Sequence, residues 1–452
     1  MRDGCPSEGP TRNAKVLGRS CGGGWWWALS IASNAKWSQS ESRIPIRPGN
    51  VGSMACQLID PDARQDALAA AQRLKMARSA HAYVRGNTTH FYDWLRHLKR
   101  GNLPEGPPVW ICGDCHVGNL GPLAHSDGRV EIQIRDLDQA VIGNPTHDLV
   151  RLGLSLASAA RGSDLPGVTT ARILEQIIEG YAAAMEPGQT GDKGDEISEE
   201  MRLVVKTATR RSWQNLANER IENTKPTIPL GKRFWPLATD ERSEITRLFE
   251  KEHVRQLATM LRSRKDDAQV EMLDAAYWKK GCSSLGKLRY CVLLGVGDKQ
   301  LELCLMDLKE AVQAAAPVDD SADMPEDQAQ RVVEGARHLS PHLGERMRAI
   351  QLFGRSIFIR ELLPQDLKIE LETLTRNQAM NIARFLANVV GKAHARQMDT
   401  DIRSKWSKEL SRARTGDLKA PSWLWSSVVD LLAIHEKAYL EHCRLCALNE
   451  SD

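Results

Sequence analysis

Residues 112–120 read CGDCHVGNL, and residues 134–149 read IRDLDQAVIGNPTHDL. Asp114 stands five residues before Asn119, and a hairpin's length further on comes Asp136-Leu137-Asp138. Phosphoryl transfer needs this grouping. One carboxylate orients a nucleophile, while a carboxamide and another carboxylate hold magnesium on a nucleotide. Carboxylates this close repel one another unless a cation lies between them, which argues for a metal. The plainer alternative is a capped turn followed by an Asp-rich turn. Two such segments in this order favour chemistry.

Around this stretch the pattern alternates between strand and helix. VWIC (109–112) leads into the first loop, and VEIQI (130–134), alternating polar and apolar, leads into the second as strands. From Thr146, HDLVRLGLSLASAARG has helical spacing and is closed by Gly162. Upstream, residues 61–100 read as helical, with DARQDALAAAQRLKMARSAHAYV as one helix and FYDWLRHLKRG as another. Residues 168–265 read as mainly helical. The texture then changes, and AAYWKKGCSSLGKLRYCVLLGVGDKQLELCLMDLKEA predicts antiparallel strands around Gly-rich turns. A helix is expected from about Ala329, a strand over SIFIRELLP, an amphipathic helix over NQAMNIARFLANVVGKAHARQM and a last helix after APSWLW. The expected class is α+β.

Composition bounds the function. The chain has 452 residues, 42% hydrophobic and 26% charged, ordinary values for a globular protein with ample core. Its 61 basic and 58 acidic residues leave a net charge of +3, too balanced to argue for a nucleic-acid or anionic-membrane partner. No run approaches the ~18 apolar residues of a membrane helix. Ten cysteines in 452 residues make no disulfide framework, so reduced thiols in a cytoplasmic protein are expected. Cys112/Cys115 and Cys443/Cys446 have CxxC spacing. The first pair flanks Asp114 and the second falls on a helix, which favours structural thiols over shared zinc. Residues 1–53, with GGG, WWW and a Ser/Arg/Pro-rich run, read as a disordered leader or an extension before the true start at Met54.

The G-D-x-H-x-x-N pattern over Gly113–Asn119 resembles the catalytic loop of aminoglycoside-phosphotransferase-type and protein kinases, with Cys112 where that family usually has His. More closely still, the chain resembles a bacterial domain-of-unknown-function family carrying such motifs. The resemblance covers roughly residues 75–400 and takes in the segment from Lys75-Met76 to Arg85-Gly86. It implies that Asp114 orients the acceptor and that Asn119 and Asp136 bind Mg2+ or Mn2+. Asp136-Leu137-Asp138 stands for the kinase metal loop Asp-Phe-Gly, and Asp138 is either a further metal ligand or an acceptor behind it. Gly143-Asn144-Pro145-Thr146-His147-Asp148-Leu149 stands for G-D-P-x-x-D-L. Asp148 is then the buried carboxylate supporting the loop, and His116 a loop-packing histidine. Arg85 contacts phosphate or a carboxylate, or lies on a surface turn.

The expected nucleotide clamp follows later in the chain. Gly281, Ser283, Ser284 and Gly286, between two strands, resemble a kinase Gly-rich loop, although an ordinary hairpin also needs glycine. Lys309, at the end of a strand, is placed as the phosphate-gripping lysine. Glu334 is its ion-pair partner, with Arg331 or Arg337 as cations that could reach phosphate instead. The catalytic and metal loops therefore precede the clamp, the reverse of kinase order. The implied fold is a two-lobed, circularly permuted protein-kinase-like one. Its large lobe spans residues 54–265 and its small lobe 266–365, with helices 366–452 returning to the large lobe. The implied activity is ATP- and magnesium-dependent phosphotransfer to an unidentified, small-molecule acceptor. Nucleotidyl transfer, a non-catalytic nucleotide-binding regulator and a metal-dependent hydrolase on Asp114, Asp136 and Asp138 are the rivals.

Overall fold

The expected first helix is broken at Ser79. The chain forms α1 (Arg64–Met76) and α2 (Ala80–Gly86), and Ser79, extended at φ −166°, accepts the Ala82 N–H at 3.1 Å through its hydroxyl. A serine that caps one helix cannot continue the one before it. Asn87 caps α3 (Thr88–His97) in the same way. The structure, a computed structural model, describes residues 63–186, 199–210, 227–281, 285–298, 301–366, 375–411 and 420–449. The expected leader and Ser283 and Ser284 lie outside the described residues. The described residues form one compact unit.

Pairing explains how the opening motif folds. β1 (Val109–Ile111) and β4 (Val141–Gly143) pair antiparallel, with Val109 opposite Gly143. β2 (Leu120–Ala124) and β3 (Val130–Ile134) form a hairpin with Leu120 opposite Ile134. The segments 112–119 and 135–140 are therefore the two crossings between the same pair of ladders, and they lie side by side. A one-turn 3-10 helix at Val117–Asn119 tightens the first crossing.

Helices surround these ladders. α4 (Thr146–Gly162) is buried along nearly its whole length and lies at the centre of the larger core. α5 (Gly167–Ala183) and α6 (Glu199–Thr209) follow. β5 (Phe234–Trp235), α7 (Thr239–Glu250) and α8 (Glu252–Thr259) come next. Three long strands, β6 (Val270–Trp278), β7 (Arg289–Val296) and β8 (Glu302–Glu310), then alternate as expected. After α9 (Gln328–Leu339) and the short α10 (Pro341–Gly344) come β9 (Met347–Leu352) and β10 (Arg355–Leu362). The chain finishes with α11 (Arg376–Ala395), α12 (Thr400–Ser411) and α13 (Ser422–Asn449). The result is a mixed α+β molecule whose antiparallel sheet has the order β5-β6-β7-β8-β10-β9.

The change in texture at residue 265 does not mark where the packing changes. β5 pairs with β6. Ile245, Leu248 and Phe249 of α7 and Val254 and Leu257 of α8 cluster with Val292, Leu294, Met306 and Leu308 on one face of the sheet. Leu68 of α1 joins this cluster, while Phe91 and Tyr92 of α3 join the helical core. Residues 64–97 thus run from the sheet to the helices. The opposite sheet face is apolar at Cys291, Leu293, Leu305 and Leu362 and charged nearer β8's end, and it faces the opening motif. Among the described residues, no helix is long and apolar enough to cross a membrane.

Candidate active site

Asp148 holds the first loop by its backbone. Fully buried in the first turn of α4, it accepts the N–H of Cys112 at 2.7 Å and that of Gly113 at 3.0 Å on its two carboxylate oxygens. Gly113 sits at φ +70°, and a Cβ there would fall 2.1 Å from the Gln139 carbonyl oxygen. Glycine is required both for the left-handed turn and for the close approach of the two loops. Behind Asp148, a chain of polar groups crosses the helical core. Trp406 Nε1–H donates to the Tyr181 hydroxyl at 3.1 Å, which lies 2.9 Å from His394 Nδ1. His394 Nε2 lies 3.2 Å from Asp148. Acceptance by Asp148 assigns the His394 proton to Nε2 and makes Nδ1 the acceptor.

Arg151, one turn further along α4, holds the side chain of that loop. Its Nε and Nη2 lie 3.0 and 2.9 Å from Asp114, and Nη2 also donates to the Val84 carbonyl at 2.6 Å. Both residues are buried. Burial pushes the Asp114 carboxyl up, and Arg151 opposes the rise only in part. His116 Nε2 is 3.8 Å from Asp114. Burial, with the nearby cations of Arg85 and Arg151, holds this imidazole well below its usual range, so it is neutral. A Cβ at Gly118 would lie 2.8 Å from the Arg85 guanidinium, which puts Arg85 against the 112–119 loop rather than on a surface turn. Asn119 Nδ2 donates to the Asp114 carbonyl at 2.9 Å, leaving its amide oxygen as the group free to ligate a cation.

The second loop meets the sheet. Lys309 Nζ, on β8, lies 3.2 Å from Asp136 and forms a tighter ion pair with Asp138. Its side chain is 1% exposed, against 42% for Asp136. Burial raises both carboxyls, but Lys309 draws Asp136 well below the carboxylate range. Asp138, facing burial and the Asp136 charge, is raised. The cation that relieves the repulsion between these carboxylates is therefore Lys309, and the repulsion by itself no longer demands a metal. Among the described residues, no group of three His, Cys, Asp or Glu side chains is placed to hold a metal ion. The oxygens present nonetheless suit magnesium, a hard cation bound by only one or two carboxylates plus phosphate. Asp138 Oδ1 is buried without a hydrogen-bond partner among the described residues, and Asn119 lines the same cleft. That cleft, of about 280 Å³, is lined by Asp114, Asn119, Asp136 and Asp138 together with Gln72, Thr88, Thr89 and Lys287.

The family's sequence profile matches residues 64–445. The chain belongs to DUF2252, the uncharacterised proteins conserved in bacteria. No curated protein and no solved structure matches it.

In this DUF2252 chain the structure does not bring Glu334 to Lys309. Glu334 faces outward on α9, paired with Arg337 at 3.0 Å and with His338. The inward cation of that helix is Arg331, 2% exposed, which donates to the Asp138, Ala140 and Val312 carbonyls. Arg331 therefore fixes the backbone of the 135–140 loop, and Arg337 is paired with Glu334. Gly281 and Gly286, at φ +100° and +96°, shape the β6–β7 turn. Lys75 donates to the Gly281 carbonyl, and Gln65 lies 3.4 Å from a Cβ built on Gly286, so α1 packs against both glycines. Cys112 and Cys115 are buried and Cys443 and Cys446 partly exposed, with Cys443 against the Ala77 carbonyl just past α1. Sequence reasoning passed over Arg151. Its signal was an arginine in HDLVRLGLSLASAA, three residues after Asp148 on an otherwise apolar helix.

Proposed function

We propose that this cleft is the catalytic centre of an ATP- and magnesium-dependent phosphotransferase with a permuted, two-lobed kinase-like organisation. The supporting observation is the meeting of Asp136 with Lys309 across 173 positions of chain, with Asp138 on the same ammonium. The order of motifs is reversed, yet the lysine of the sheet and the carboxylates of the metal loop share one place. Asp114 orients the acceptor hydroxyl, its raised carboxyl suiting it to take the proton. Asn119 and Asp136 would hold magnesium, with Asp138 behind or beside them, and the cation when bound neutralises charge on the transferring phosphoryl group. Asp148 and Arg151 keep the loop and the Asp114 carboxylate in place, so the rate comes from positioning and charge rather than from a covalent intermediate. The cleft's modest volume and its carboxamide and hydroxyl lining suit a small acceptor.

The test is thermal stability with ATP and with magnesium, singly and together, on wild type and Asp136→Ala. A ligand at ~100 times its dissociation constant adds about 2.7 kcal/mol. The expected result is a magnesium-dependent ATP shift that Asp136→Ala loses. An equal shift in the variant would overturn the metal assignment. Transfer itself is read from product mass, a gain of phosphate rather than of AMP.

A further inference from the structure

Lys309 is buried and fully engaged. Its ammonium faces Asp136 and Asp138, and Arg289 is directly opposite it on β7. Arg289 in turn grips the buried Asp307 at 2.8 and 2.6 Å, and Arg360 of β10 reaches the same carboxylate at 3.1 Å. The inner sheet face thus sets Lys309, Arg289 and Arg360 against Asp136, Asp138 and Asp307, and its charges balance internally. A polyphosphate entering the cleft finds no spare positive charge there.

Lys287 is placed differently. It follows Gly286 at the start of β7, and its carbonyl is fixed by the Tyr277 hydroxyl at 3.0 Å. It is half-buried and is the one cationic side chain among the described residues that line the cleft. Among the described residues no hydrogen bond or ion pair holds its ammonium, although it lies close enough to Asp138 to act on that group's charge. A lysine with a fixed backbone and an uncommitted head, beside oxygens suited to magnesium, is a point-charge phosphate ligand.

We infer that Lys287, not Lys309, is the side chain that contacts the terminal phosphates of the co-substrate, and that Lys309 is a positioning residue for Asp136 and Asp138. The inference rests on the phosphotransferase reading. It is tested by magnesium-dependent thermal shifts with ATP, AMP and inorganic tripolyphosphate on wild type, Lys287→Met, Lys287→Arg and Lys309→Met. Lys287→Met should weaken ATP and tripolyphosphate binding at least tenfold, about 1.4 kcal/mol, and leave AMP binding unchanged. Lys287→Arg should restore most of the loss. Lys309→Met should lower the melting temperature without ligand, which Lys287→Met should not. Wild-type ATP affinity in Lys287→Met overturns the inference and leaves the phosphotransferase reading standing. A wild type that responds to neither ATP nor tripolyphosphate overturns both.

Discussion

Asp114 is held between two opposite demands. Burial disfavours its charge, and Arg151 restores part of it. Such a pair contributes little net stability against an apolar pair of the same volume, but breaking it from one side is costly. Arg151→Met leaves the Asp114 carboxylate buried and alone and frees the Val84 carbonyl, so it should lose about 3–5 kcal/mol in urea unfolding. Asp114→Asn alone should cost less, and Arg151→Met should cost markedly less in the Asp114→Asn background than in wild type. Additive losses would mean that the two side chains do not act as a pair. Asp148 is exposed to the same logic from the backbone side. Asp148→Ala removes the acceptor of two buried amides and should cost about 3 kcal/mol or more, since hydrogen bonds to charged groups contribute about 1.5–3 kcal/mol each. A loss below 1 kcal/mol would contradict the role assigned to it.

Among elements, α5 and α11 approach as closely as backbones allow. A Cβ at Gly180 of α5 would fall 2.0 Å from the Arg384 carbonyl oxygen of α11, and one at Gly391 of α11 would fall 2.7 Å from the Ala184 Cβ. The Tyr181–His394–Asp148 chain crosses this same contact. Gly180→Ala should therefore destabilise by at least the about 1–3 kcal/mol of an overpacked core, despite alanine's better helix propensity. Gly162→Ala, with open space around the added methyl, should be close to neutral. Equal effects at the two sites would show that the helices can move apart freely. The helices were legible because their apolar spacing is regular, as in α11 with its one buried stripe, and the long strands because their apolar runs lie between Gly-rich turns, as in β7, which is buried on both faces. β2, β4 and β9 were not, being short and, for β2, interrupted by Gly121 and Pro122. The break at Ser79 was hidden by alanine-rich flanks on both sides, where periodicity outweighs a single cap. At the site, Asp114, Asn119, Asp136 and Asp148 could be read because local spacing carries them. Arg151, the Arg331 contacts and the Lys309–Asp138 pair depend on long-range approach, which no local pattern records. Glu334 was misplaced for the same reason, since only the rotation of α9 decides whether Arg331 or Glu334 faces inward.

At the scale of the whole molecule, the last helix ties the segments that line the cleft. Trp94 of α3 donates to Asp430 of α13 at 2.6 Å, Tyr439 of α13 donates to the Ala77 carbonyl at 3.1 Å, and the His90 and His435 rings meet at 5.1 Å. His435 is 1% exposed, and its Nε2 has no hydrogen-bond partner. Burial, together with Arg151, pulls its imidazole down to about 3, and burial pulls His147 down to about 4. In the unfolded chain each titrates near its ordinary value of about 6.5. As pH falls below that value, the unfolded chain takes up protons that the folded chain refuses, so the stability held at neutral pH is lost progressively, by about 1.4 kcal/mol per pH unit per histidine. The raised carboxyls of Asp114, Asp138 and Glu361 act in the opposite sense, the folded chain keeping protons that the unfolded chain has released. The histidine contribution is isolated by comparing wild type with His435→Gln. Between pH 7 and pH 4.5 the wild type should lose about 2–3 kcal/mol more than the variant in urea unfolding. A difference that stays constant over that range would mean that His435 takes up its proton over the same pH range in the folded as in the unfolded chain. The loss should appear first in α13 and α3, read by hydrogen exchange, because His435 stands between them with its Nε2 buried and unpartnered and takes up its proton only where they open.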